Sequence, residues 1–350
     1  MFTREELKES GDILHESFIL PVKMPCITPY QHQTSVLSIL EGHNVNYMPW
    51  FSQNFLQLRV MLDEKSKPWL DFFTFQHDGF LICPWLEVEH IHLSTLQSMI
   101  GDPIFFLINL INLENYIYIV VDGSLISLYN IESKSKFPHP IFIHGYDLSK
   151  EVFFVADFFE SHFIFAEVPF SELREAYLNI EKEDFSFNGA KLIKFRESGN
   201  EFSFDINNMM VLLADYIYTR DTRRRYRSER NYMIDEGLGF NNIYTRLSKD
   251  IHRNMEFYSA LDITSFHVFY EHKKTLSLIL KYLKCEGYIK NDYNLDQICK
   301  NSLLLRNTLL KYSFTRNRGS IIRSIELLEK IREEEEALLK RCYEELSASY

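Results

Sequence analysis

A histidine and an aspartate stand at the outer ends of two apolar runs. The first is Phe137-Pro138-His139-Pro140-Ile141-Phe142-Ile143-His144-Gly145-Tyr146-Asp147, and the second is Glu151-Val152-Phe153-Phe154-Val155-Ala156-Asp157. The turn between them carries Gly145 and Asp147. Paired antiparallel, the runs bring His139 and Asp157 within hydrogen-bond reach. A carboxylate that orients an imidazole is the back half of a nucleophilic triad. The front half needs a cysteine or serine at a helix N-terminus, and the sequence offers no obvious one. The same pair also has a bland reading, a strand-end His and Asp that tie a turn.

Other residues invite chemistry, each with a plain alternative. Gln31 sits near the start of a helix, where its amide and the helix N–H groups would stabilise an oxyanion. As the fourth residue of Thr28-Pro29-Tyr30-Gln31 it also fits a capping box, with Thr28 as N-cap and Pro29 in the first helical position. Cys26 lies near that helix start, where a thiol is activated, but outside the helix, as a free cysteine would. Cys83, before Pro84-Trp85, fits a core or pocket wall. Arg220, Arg223, Arg224, Arg225, Arg227 and Arg230 make the one strongly basic patch, either an anion-docking surface or a solvated loop. In Glu271-His272-Lys273 one residue is expected to make a buried ion pair and the others to face water, unless the three line a cleft. There is no HExxH, GxSxG, P-loop or GxGxxG in a βαβ setting, and the scattered cysteines show no CxxC spacing, so no metal site is expected.

The elements that must position these residues follow from pattern. With 46% hydrophobic residues, 29 Phe and 20 Tyr against 12 Gly and 10 Pro, the chain supports a large packed core. A net charge of -11 argues against nucleic acid as a partner. The charged N-terminus lacks the apolar core of a signal peptide, and no apolar run is long enough to span a bilayer, so a soluble cytoplasmic protein with free thiols is expected. Short runs rich in aromatic and β-branched residues dominate from about residue 44 to 200. Three-to-four-residue helical spacing dominates after Phe204, over Met209 to Tyr218, Ser265 to Leu283, Leu295 to Lys311 and Ile321 to Leu346. The last of these has Ile322, Ile325, Leu328, Ile331, Leu338 and Leu339 roughly on one side, interrupted by Glu333-Glu334-Glu335-Glu336. The reading is α+β: a mixed or antiparallel sheet domain over 1–200 and an all-helical domain over 201–350, divided near Glu197-Ser198-Gly199-Asn200.

A capped helix, then a sheet, then a His strand and an Asp strand resembles the papain-like fold, in its bacteriocin-leader-peptidase branch. More narrowly, the chain resembles the butirosin biosynthesis protein H-like N-terminal domain family. The resembling pieces include Met48 to Leu58, Cys83-Pro84-Trp85-Leu86, His139 to Asp147, Val152 to Phe159, Phe170 to Tyr177, Asp262 to His267 and Tyr270 to Lys273. The resemblance implies an accessory acyltransferase or cyclase of nonribosomal peptide or polyketide antibiotic biosynthesis. Its acyl or peptidyl substrate would arrive as a thioester on the phosphopantetheine arm of a carrier protein, with no other cofactor. His139 then falls at the general-base position and Asp157 at that of its orienting acid. Counting back from Thr34-Ser35-Val36 puts Gln31 where the family pattern has its cysteine, and Gln31 would serve the oxyanion. Arg223, Arg224, Arg225 and Arg227 would hold the carrier protein or the phosphate of its arm. Two other readings stand beside this one: a papain-like pseudoenzyme that binds a carrier protein or intermediate, and a cysteine peptidase using Cys26.

Overall fold

The computed structural model describes residues 15–62, 68–74, 78–99, 101–131, 135–180, 189–197, 202–225, 235–257 and 261–350. In chain order these give β1 (Ser17–Ile19), α1 (Gln31–Gly42), α2 (Met48–Asn54), β2 (Leu58–Leu62), β3 (Pro68–Phe72), α3 (Gly79–Ile82), β4 (Leu86–His92), α4 (Leu93–Met99) and α5 (Pro103–Asn112). Next come β5 (Tyr116–Asp122), two 3-10 turns at Gly123–Leu125 and Ser127–Tyr129, β6 (Pro138–Asp147), β7 (Val152–Phe159), β8 (His162–Pro169), α6 (Phe170–Leu178) and β9 (Gly189–Phe195). The rest is α7 (Ile206–Ile217), a 3-10 turn at Thr222–Arg225, β10 (Asp235–Leu238), α8 (Phe240–Phe257), α9 (Ile263–Cys285), α10 (Asp296–Thr315) and α11 (Arg318–Ser349). The chain is α+β, with antiparallel sheet towards the N-terminus and helices from Phe240 onward. No helix among the described residues is long and apolar enough to cross a membrane.

Two units divide the chain: Met1–Val45 with Gly79–Asn200, and Asn46–Asp78 with Glu201–Tyr350. Composition alone put residues 46–78 in the first unit. They pack in the second because β2 pairs with both β3 and β10. Of the expected boundary residues, Ser198, Gly199 and Asn200 lie outside the described residues.

The first unit holds an antiparallel sheet in the order β4-β9-β5-β6-β7-β8, with β1 pairing β6 beyond the end of β5. Every residue of β5 is buried, as a strand covered on both faces requires. Alternation assigns the faces. On one, Tyr116 stacks on Phe142 at 5.9 Å, and its hydroxyl donates to the Pro21 carbonyl at 2.7 Å. His43, at the end of α1, bonds that hydroxyl and stacks on Phe195, while Phe80 of α3 meets Tyr118. So α1 and α3 cover this face. On the other, Phe153 meets Phe170 of α6, and Tyr146 donates to Asn112 of α5 at 2.7 Å. Here α5 and α6 cover Ile117, Ile119, Ile141 and Ile143.

Helix α1 starts later than the capping-box pattern predicts. Its N-cap is Tyr30, extended at φ -134 and ψ 158, with no side-chain cap. Thr34 donates to the Tyr30 carbonyl through both its N–H and its hydroxyl. Gln31 is therefore the first helical residue and caps nothing.

In the second unit β10-β2-β3 form a small antiparallel sheet. Helix α9 packs on β3 and α8 on β2, and α11 packs on α7, α8 and α10. Along α11 the buried positions are Ile321, Ser324, Leu328, Ile331, Glu335, Leu338, Leu339, Cys342 and Leu346. Ile322, assigned to the stripe from spacing, is exposed. Glu335 does not interrupt the stripe; it lies on it, paired with Lys273 at 2.6 Å with neither side chain exposed. Tyr216 and Tyr244 both donate to its carboxylate. Of Glu271-His272-Lys273, Lys273 is thus the residue in the buried ion pair. The other two do not face water as expected: His272 is buried and bonds the Leu56 carbonyl at 2.9 Å, and Glu271 is buried and pairs with Lys274.

Candidate active site

His139 opens β6 and Asp157 lies near the end of β7. The strands pair Phe142 with Ala156, so Asp157 falls one step on, on the face of Ile141 and His139. His139 Nε2 is 3.0 Å from Asp157 Oδ2. The carboxylate is wholly buried, while the imidazole is 27% exposed. Asp157 Oδ1 accepts from the Phe158 N–H at 2.7 Å, and Tyr129 donates its hydroxyl to Oδ2. Burial, and then the negative charge of Asp157, hold the Tyr129 hydroxyl well above its ordinary pKa. It stays a donor.

An anionic carboxylate only accepts, so Nε2 carries the proton in the His139–Asp157 bond. The basic lone pair then belongs to Nδ1. The ring lies flat on Phe137, with centroids 4.9 Å apart, and meets Tyr129 edge-on. A one-sided slot of aromatic rings thus fixes the plane of a partly open base.

The turn between β5 and β6 holds this arrangement. Asp122 Oδ1 accepts from the Ser124 hydroxyl (2.6 Å), the Ser124 N–H (3.1 Å) and the Phe137 N–H (3.0 Å), and Oδ2 accepts from Asn179 at 2.6 Å. Burial raises the pKa of this carboxyl, but the hydrogen bonds together outweigh it and the net shift is downward. Glu172 of α6 accepts from the Ser127 N–H and hydroxyl and so ties down the 3-10 turn that carries Tyr129. Tyr129 and Asp122 are the members of the site that spacing did not reveal. Asp122-Gly123-Ser124 is a turn signal in the sequence; nothing marks Tyr129.

Gln31 does not join this pair. It heads α1, and α1 covers the sheet face opposite His139. It is 6% exposed, and neither its Oε1 nor its Nε2 has a hydrogen-bond partner. His144 points to the same side as α1, beside Phe142, Phe154 and Phe165, and burial lowers its pKa to about 4. The papain-like expectation of a helix head, base and acid on one face is therefore corrected: helix head and base stand on opposite faces.

The arginine patch is also altered. Arg223 grips Asp221 with two nitrogens, Nε at 2.8 Å and Nη2 at 3.1 Å, so its planar fork is committed. Arg224 is exposed. The Arg225 side chain and Arg227 lie outside the described residues. Cys26 is half-buried, and burial pushes the Cys83 thiol up to about 12, which fits the core or wall expected of it. Among the described residues no cluster of three or more His, Cys, Asp or Glu could hold a metal ion.

No family model matches the sequence, and no curated protein matches it.

Proposed function

We propose that the first unit transfers an acyl or peptidyl group from a thioester to an amine without a covalent enzyme intermediate. The observation that carries this reading is the His139–Asp157 bond, a partly exposed imidazole on a fully buried carboxylate. The amine nitrogen attacks the thioester carbonyl and His139 Nδ1 takes its proton. The C–N bond forms, the C–S bond breaks, and the imidazolium returns the proton to the departing thiolate. A thioester is already activated, so a positioned base suffices. An amine within the same chain would make the reaction a cyclisation. The carrier protein, its phosphopantetheine arm and a place in cytoplasmic natural-product assembly rest on the family resemblance alone. Among the described residues, Arg220 and Arg224 are the exposed arginines of the patch that could meet such a carrier.

A second reading has its own support. Gln31 stands where the resembling family has its nucleophile, and it faces away from His139. A domain that has lost both the thiol and the alignment fits a binding protein that positions a carrier-bound intermediate. Use of Cys26 as a peptidase nucleophile gains nothing from the geometry.

The test is the intact mass of an acyl-loaded carrier protein incubated with this protein and an amine, with His139→Ala alongside. Loss of the acyl group with wild type alone supports the transferase. Binding without any loss selects the second reading.

A further inference from the structure

The hairpin of α10 and α11 carries a charge imbalance that the reaction above does not use. Between Asp296 and Glu326 stand Lys300, Arg306, Lys311, Arg316, Arg318 and Arg323, and no acid, in a chain of net charge -11. These cations are spread along two helices, so no run of charge announces them. Lys300, Lys311, Arg316, Arg318 and Arg323 are exposed, and none makes an ion pair among the described residues. Arg306 is half-buried, against His267 and the Tyr270 ring.

Helix α10 is apolar on two sides. Ile298, Ser302, Leu305, Leu309 and Tyr312 recur at three-to-four spacing and are buried. Lys300, Leu303, Asn307, Leu310 and Phe314 recur at the same spacing on the opposite side. Leu310 is exposed, and Phe314, at 81%, is the most exposed large apolar side chain among the described residues. Leu304, also exposed, and Lys311 flank this stripe. A groove of about 430 Å³ between α10 and α11 has Leu304, Lys311 and Arg323 in its lining. Arg323 of α11 thus extends the surface, and Arg316 and Arg318 close it at the turn.

Leucine and phenylalanine in water, bordered by unpaired cations, are the pattern of a helix that lies on an anionic bilayer. Other polyanions fit less well. A nucleic acid would leave Leu304, Leu310 and Phe314 in water. A protein interface is depleted in lysine, whereas at a lipid surface the lysine stem lies along apolar matter and its head stays at the headgroups. An anionic surface repels every carboxylate, which accounts for a whole hairpin end without one. Charges act over about 8 Å at physiological salt, so the local excess and not the net charge meets the surface.

We propose that the outer face of α10, with the start of α11, attaches this protein peripherally to anionic lipid. Phe314 enters the headgroup layer, and Lys300, Lys311, Arg316, Arg318 and Arg323 meet the anionic headgroups. The proposal concerns binding alone and does not rest on the acyl-transfer reading.

The experiment is co-sedimentation of the full-length protein with vesicles of equimolar phosphatidylglycerol and phosphatidylcholine, and separately with phosphatidylcholine alone. Binding to the mixed vesicles should be at least about tenfold tighter and should weaken as salt is raised. Phe314→Ser should weaken it about tenfold or more, and Lys311→Gln about fivefold. Both side chains are exposed, so each variant keeps its fold, and a thermal melt verifies this. Equal binding to the two vesicles, or unchanged affinity in folded Phe314→Ser, would overturn the proposal. Binding to neither vesicle would overturn it too, and would leave an acidic protein as the partner of this face.

Discussion

Asp157 holds His139 by Nε2, at 3.0 Å from Oδ2, the reverse of the familiar triad in which the acid takes Nδ1. In the proposed reaction the nitrogen nearer the backbone would be the working base. Asp157→Asn should cost most of the activity, because an Asn amide can donate to Nε2 and move the proton to Nδ1. The loss should fall within the range of about 10²–10⁴ typical of a general base, close to that of His139→Ala. Tyr129→Phe keeps the tautomer and should cost far less. The check is the rate of acyl transfer for the three variants. If Asp157→Asn keeps wild-type rate, the pair only ties a turn.

Gly145 closes the turn end of β6, where β1 joins. A Cβ there would lie 2.6 Å from the Phe18 carbonyl oxygen and 3.0 Å from Ile19 Cα. Both are backbone atoms of the paired segment and cannot swing away. Gly145→Ala should therefore destabilise the first unit by about 1–3 kcal/mol through overpacking. Urea unfolding measures it. Hydrogen exchange at Leu20, whose N–H bonds the His144 carbonyl at 2.8 Å, should rise with it.

The His139–Asp157 contact was legible because it needs only two alternating runs and a short turn. Local pattern fixes both. The second partner of Asp157, Tyr129, was not legible. Tyr129 arrives from a 3-10 turn held by Asp122 and Glu172, a matter of tertiary contacts that Ser127-Leu128-Tyr129 does not announce. Gln31 misled for a related reason. Spacing finds a helix, but the face of the sheet it covers depends on which residues lie beneath it, here Tyr116 and Phe142. Likewise β2 and β3 read correctly as strands, yet their membership of the second unit depends on β10, some 170 residues away. The glutamate run hid one buried acid because charge alone says nothing about partners. Lys273 supplies the partner from another helix.

His144 should make the protein acid-sensitive. Burial lowers its pKa to about 4 from 6.5. Between those values the unfolded chain takes up a proton that the folded chain refuses. Stability is therefore complete above pH 6.5 and falls as pH drops towards 4, by about 3 kcal/mol in all. His272, pulled well below its ordinary value by burial and then by Lys273, acts in the same direction. The contribution of His144 is isolated by difference. His144→Leu should lose less stability than wild type as pH falls, with a shallower slope below 6.5. Parallel curves for the two proteins would show that His144 takes no part.

The buried Lys273–Glu335 pair makes the most specific stability claim. Burial pulls the Lys273 pKa down, and the Glu335 carboxylate pushes it back. The ammonium also lies 4.2 Å from the centre of the Phe269 ring. Lys273→Met leaves a buried carboxylate with only two tyrosine hydroxyls to compensate it, so it should cost about 3–5 kcal/mol. Glu335→Gln in the same chain removes the stranded charge and keeps an oxygen for Tyr216 or Tyr244. Lys273→Met/Glu335→Gln should then recover part of the loss, a coupling that a double-mutant cycle in urea measures directly. A double variant no more stable than Lys273→Met alone would mean that packing of the lysine stem against Phe269 and Tyr244, and not charge pairing, holds α9 to α11.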